Sequence, residues 1–226
     1  GCTLNRYAAF RAEVEKRLPA DWGTALMGSG DFHHLSWLLI EHRIALRGHT
    51  PANPLRVIVL DNHPDNMRFP WGVHCGSWVR RVALHPGVAH VHVAGITSQD
   101  IGRAHAWENY LAPLRAGKLT YWSCGVDTGW ARSVGAAQAF RGFASVAELT
   151  QALAQMLHSP YATRCGSTMP SKCRSWPSAI ASGCACAARF TLSLPTLNNS
   201  PPRSSAGCNE LSNVQRRSAA VACSCK

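Results

Sequence analysis

No aspartate follows Asp127 and no histidine follows His158 in this chain of 226 residues. Residues 159–226 hold one acid, Glu210, against eight Lys or Arg. That segment therefore lacks the carboxylates and imidazoles from which divalent-metal sites and acid–base pairs are built. Long apolar runs are missing too. Nothing approaches the roughly 18 consecutive apolar residues of a membrane-spanning helix, and no secretory signal is visible. These absences predict a cytoplasmic chain with no membrane partner. The chain opens on Gly1 rather than Met, which fits a fragment or a processed product. Its length suits one sizeable α/β domain or two small ones.

Composition divides the chain near His158. The later segment carries thirteen Ser and seven of the ten Cys. Of the formal net charge of +11, residues 1–158 supply +4 (15 basic, 11 acidic) and residues 159–226 supply +7 (8 basic, 1 acidic). A basic balance is a footprint of nucleic-acid or membrane-surface contact. Here the cations are dispersed, apart from Arg216-Arg217, and form no helical stripe, so nucleic acid is not an expected partner. Cys184-Ala185-Cys186 and Cys223-Ser224-Cys225 are C-x-C pairs. Zinc sites usually space their thiols more widely, and no tail His completes a mixed set. A disulfide framework would need an oxidising compartment. Two readings stand: an out-of-frame translation beginning near His158, which the abrupt loss of hydrophobic pattern favours, and a small real domain. The expected organisation is a partial α/β domain over 1–158 and an irregular, poorly ordered tail over 159–226.

Within the first part, apolar periodicity predicts the elements. Leu4, Tyr7, Phe10, Val14 and Leu18 recur at helical spacing. Thr24 to Met27 is a short strand candidate, and Leu35 to Leu46 reads as a helix. Val57-Ile58-Val59-Leu60 lacks alternation, which suits a strand buried on both faces of a parallel sheet. Val88 to Ile96 and Leu119 to Val126 read as further strands. Ser145 and Glu148 form a capping box that opens a helix with Val146, Leu149, Leu153 and Leu157 on its apolar positions. The expected fold class is α/β, a mostly parallel sheet flanked by helices. His90 and His92 alternate with Val along one strand and read as half-buried structural histidines. Trp107, Trp122 and Trp130 read as core and interface aromatics.

The chemistry gathers after the first buried strand, in Leu55 to Trp78. The apolar run ends in Asp61-Asn62-His63-Pro64-Asp65, and residues two apart in an extended chain point the same way. If the chain stays extended, Asp61, His63 and Asp65 converge at the carboxyl end of the sheet, where open α/β sheets bind their ligands. Two carboxylates and an imidazole suit a hard or borderline divalent cation. The bland alternative is an ordinary turn built of Asp, Asn and Pro. Two further stretches support the metal reading. One is Gly28-Ser29-Gly30-Asp31-Phe32-His33-His34, a Gly-rich turn leading into two histidines; the other is His74 in Gly72-Val73-His74-Cys75-Gly76.

Together these three motifs resemble the ureohydrolase family of arginases, agmatinases and formiminoglutamases, over roughly Thr24 to Val82 with a weaker continuation to His158. Asp61, His63 and Asp65 match its Asp-x-His-x-Asp motif without gaps. Gly30 to His34 resembles its Gly-Gly-Asp-His-Ser turn with one or two extra residues, and His74-Cys75-Gly76 its His-Gly loop with Cys75 intervening. The resemblance implies an arginase-like three-layer fold and two Mn²⁺ ions whose shared hydroxide attacks a guanidino or amidino carbon. It implies that Asp61 bridges both metals, that Asp65 and either His33 or His34 bind the first, and that His63 binds the second. His74 would be the proton shuttle. The family's third motif, Ser-x-Asp-x-Asp, has no counterpart, since Asp127-Thr128-Gly129 is the last aspartate context. One Mn²⁺ at most, weak binding and impaired activity are therefore expected. Substrate identity and homo-oligomer formation are left open. The rival readings are another metallohydrolase, such as a phosphoesterase, for which Arg68 is the one nearby cation, and a truncated chain without catalysis.

Overall fold

The computed structural model describes residues 1–158 and the backbone of residues 219–223. The tail cysteines and the expected disorder of the tail lie outside the described residues, apart from that one strand. Four strands come from the first part: β1 (Leu55–Leu60), β2 (Val88–Ile96), β3 (Leu119–Cys124) and β4 (Phe140–Phe143). With β5 (Ala219–Cys223) they form one parallel sheet in the order β4-β3-β2-β1-β5. The fold class is thus α/β, as the apolar strand pattern predicts. β5 is a strand that the sequence pattern does not announce.

Side chains alternate across the sheet, and both faces are covered. Val57, Val59, Val91, Val93, Leu119 and Tyr121 face one layer of helices. That layer contains α2 (Leu35–Arg47), α3 (Val79–Ala83) and α4 (Leu111–Arg115), which contribute Leu38, Ile44, Val79, Val82 and Leu114. Ile58, Leu60, Ala94 and Trp122 face the other side, against Leu149 and Leu153 of α5 (Val146–His158). This double cover explains why β1 reads as an unbroken apolar run: every residue from Val57 to Leu60 is buried. The α5 start carries the predicted cap, Glu148 N–H donating to Ser145 Oγ at 3.2 Å. α1 (Leu4–Arg17) buries Tyr7, whose ring stacks on Trp37 of α2 at 4.2 Å.

Several expectations fail locally. Thr24 to Met27 forms no named strand; it is irregular chain with one bridge position, at Leu26. β3 stops at Cys124 because Gly125 turns with φ +68°. Trp107 is 69% exposed, not core, while Trp122 is fully buried. Trp130 is half-buried and donates from Nε1 to the Ile101 carbonyl at 2.9 Å. As expected, His90 and His92 are half-buried; they lie on the α5 face, where Trp122 Nε1–H donates to His92 Nδ1 at 3.2 Å. Among the described residues, no helix is long and apolar enough to cross a membrane.

Candidate metal centre

β1 runs between β2 and β5 in the parallel sheet. The region beyond the carboxyl ends of such strands is the usual ligand position in open α/β sheets. Asp61 stands there, 6% exposed, and Asp65 follows, 1% exposed. They meet by a route other than continued extension. The His63 backbone N–H donates to Asp61 Oδ1 at 2.9 Å, so the chain bends in an Asx turn directly after the strand. Asp65 then adopts φ +47°, a left-handed conformation that Asp and Asn tolerate better than most residues. The two carboxylates converge because the loop folds back.

His33 arrives from the opposite direction. Ser29 caps a short 3-10 turn over Gly30–Phe32, with the Asp31 N–H donating to Ser29 Oγ at 3.2 Å. His33 follows it, 1% exposed, just before α2 begins. Its Nδ1 lies 3.0 Å from Asp61 Oδ2 and 2.9 Å from Asp65 Oδ2. These are hydrogen-bond distances, yet neither ring nitrogen has a hydrogen bond of good geometry. The nitrogen is shared between two oxygens rather than aimed at either. One atom from each of His33, Asp61 and Asp65 lies within 4.8 Å of the others, and all three residues are buried. A nitrogen and two carboxylate oxygens converging on one point fit a divalent cation of the hard or borderline kind.

The electrostatics agree with a site short of positive charge. Burial works against ionisation of Asp61, but His33 and His63 outweigh it and hold its carboxyl well below the usual range. Asp65 is pushed up to about 6, first by complete burial and then by the neighbouring Asp61 charge. Burial disfavours a charged His33, yet the two carboxylates raise it to about 9. In the metal-free protein a proton on this imidazole stands where a cation would supply the charge.

The remaining candidates lie outside this triad. His63 is half-buried, with Nδ1 3.3 Å from Asp61 Oδ1, the oxygen turned away from His33. His34 does not join the cluster. Successive residues on a helical turn diverge by roughly 100°, and His34 is buried apart from the triad. Burial lowers its pKa. His74 is half-buried; its Nδ1 accepts from the Gly76 N–H at 3.0 Å, and its ring meets Phe69 edge to face at 4.5 Å.

Supporting residues escaped the motif reading. Trp78 is fully buried; its Nε1–H donates to Asp65 Oδ2 at 2.8 Å and its ring lies 4.9 Å from His33. Asn66 Nδ2 donates to the Tyr110 carbonyl at 2.9 Å and to Tyr121 Oη at 2.8 Å, and Tyr121 Oη–H donates to Asn109 Oδ1 at 3.2 Å. This network ties the loop after β1 to β3 and to the loop after β2. The one available signal was Trp78 itself, since a buried indole N–H requires an acceptor.

The fold and this cluster define an α/β protein with a buried His-Asp-Asp group at the carboxyl ends of parallel strands. No family model matches the chain, and no solved structure matches it. An uncharacterized protein of Thermotoga maritima is 30% identical over 88 residues, which cover 39% of this chain and 33% of that protein. The chain thus spans about a third of that curated relative's length.

Proposed function

We propose that this chain is the metal-binding part of a ureohydrolase-like hydrolase acting on a guanidino or amidino C–N bond. His33, Asp61 and Asp65 would hold one divalent cation, Mn²⁺ by the family resemblance. The observation that carries the reading is the Asp61 carboxylate, which turns Oδ2 to His33 and Oδ1 to His63. A carboxylate facing two imidazoles from its two oxygens suits a ligand shared between adjacent cation positions. When bound, a divalent cation would supply water activation near neutral pH and offset developing negative charge. His74 accepts at Nδ1 from a backbone N–H, so its neutral ring carries the proton on Nε2. That atom is the one suited to hand a proton to a leaving amine.

The second cation position has Asp61 and His63 but no further carboxylate among the described residues. Single-site binding and weak turnover follow. Calorimetric titration with Mn²⁺ tests this directly: one site is expected in the wild type and none in Asp61→Ala. His33→Ala should lose binding while His34→Ala keeps it. Two tight sites, or binding that survives Asp61→Ala, would refute the ligand assignment. Hydrolysis of phosphate esters in preference to guanidino compounds would favour the phosphoesterase reading instead.

A further inference from the structure

Arg43 lies within α2 and is 2% exposed. Its guanidinium rests over the Trp22 ring, 4.2 Å from the centroid, and Nη2 donates to the Trp22 carbonyl. Trp22 is 8% exposed, in a turn where its backbone N–H donates to the Pro19 carbonyl at 3.2 Å. The remaining donors have nothing to bind. Arg43 Nε, Arg43 Nη1 and Trp22 Nε1 are all buried, and none has a hydrogen-bond partner among the described residues. A guanidinium and an indole N–H are donors only, so neither group can satisfy the other.

The charge of Arg43 is uncompensated as well. Burial disfavours it, and Arg47, a like charge one turn along α2, disfavours it further. The acids of the two neighbouring helices are committed elsewhere: Glu41 and Glu15 to Arg11, and Glu13 to Arg17 and Lys16. Asp21 precedes Trp22 in the chain, but it is exposed and leaves Arg43 Nε and Nη1 unpaired. A buried ion without a partner is among the costliest arrangements in a protein interior. A water molecule would accept one or two of these N–H groups and leave the charge as it stands. There is open space beside the donors, since a Cβ on Gly23, which follows the carbonyl bound by Arg43, would meet nothing within 4 Å.

We propose that Arg43 and the Trp22 indole N–H form a binding site for one small monovalent anion, a halide or a carboxylate no larger than formate or acetate. The near-complete burial of both side chains sets the size limit. The site is separate from the candidate metal centre, about 12 Å along α2 from the helix start beside His33. The test is urea unfolding of the full chain in EDTA, with sodium chloride, bromide or formate exchanged for sodium gluconate at constant ionic strength. The unfolding constant should fall saturably, about tenfold at ten times the dissociation constant. A response to the halides alone assigns a halide; a response to formate as well assigns any anion of that size and charge. Arg43→Met should lose the dependence, and Trp22→Phe, which keeps the ring but not the donor, should weaken it about tenfold. If Arg43→Met fails to fold, bromide-soaked crystals of the wild type decide the matter, with an anomalous peak expected beside Arg43 Nε or Nη1. Unfolding that ignores the anion, an equal response in Arg43→Met, or a crystal without that peak would overturn the proposal. So would an Asp21→Asn variant that loses stability and gains a larger chloride response, because Asp21 would then be the internal counter-ion.

Discussion

Asp65→Asn offers a discriminating perturbation, because a metal site and a structural ion pair respond to it in opposite directions. The Asp65 carboxyl is completely buried and pushed up to about 6 from an ordinary value of 3.8. A folded-state value above the unfolded one means this group's contribution is most favourable below about pH 4. It is lost as pH rises through about 6. At about 1.4 kcal/mol per unit, the ionised carboxylate costs about 3 kcal/mol at pH 8. The amide removes that cost, still offers an oxygen to the Trp78 indole N–H, and suits φ +47° at least as well. It also forfeits part of the attraction to His33. The net expectation is a metal-free variant about 1–2 kcal/mol more stable than wild type at pH 8, with the difference vanishing near pH 4. Urea denaturation in EDTA at both pH values measures this, and calorimetry should show Mn²⁺ binding abolished. A variant that is less stable at pH 8, or equally affected at both pH values, would show that Asp65 is structural.

Trp78→Phe removes the donor to Asp65 Oδ2 while keeping the ring against His33. It should cost about 1–2 kcal/mol in denaturant unfolding and weaken Mn²⁺ binding about tenfold by calorimetry. His92 is lowered to about 3, first by burial and then by His90, Arg56 and Arg141, so it stays neutral in the folded chain. A depressed imidazole loses stability as pH falls below about 6.5. His92→Gln should therefore unfold with a shallower acid dependence, gaining about 2 kcal/mol on wild type at pH 4.5. A Cβ at Gly72 would overlap the Cys2 carbonyl, and its φ of +152° strains any other residue. Gly72→Ala should break the Cys2–Val73 pairing beside His74, costing about 2 kcal/mol. Faster hydrogen exchange at the Val73 amide would report it.

The class of fold was legible in the sequence because it depends on local pattern. A four-residue apolar run without alternation can be satisfied only between two covered faces, and β1 is buried on both. The amphipathic α1, the capped α5 and the strand over Val88–Ile96 follow the same rule of period and cap. The types of residue at the site were legible too: carboxylates and imidazoles clustered after a buried strand state a chemistry before any geometry is known.

Position was another matter. The choice between His33 and His34 turned on about 100° of rotation at the start of α2, which no spacing encodes. Asp61 and Asp65 converge through an Asx turn and a left-handed residue, where the sequence suggested extended chain; both conformations are held by contacts outside the motif. Trp78 supports Asp65 from thirteen residues away, and the Asn66, Tyr121 and Asn109 network joins three separate segments. The placement of β5 beside β1 required a pairing partner about 160 residues distant in the chain. Local sequence sets what each segment can form and which donor atoms it carries. Only long-range packing decides which of those atoms meet, because a side chain's direction at a loop depends on what the rest of the fold presses against it.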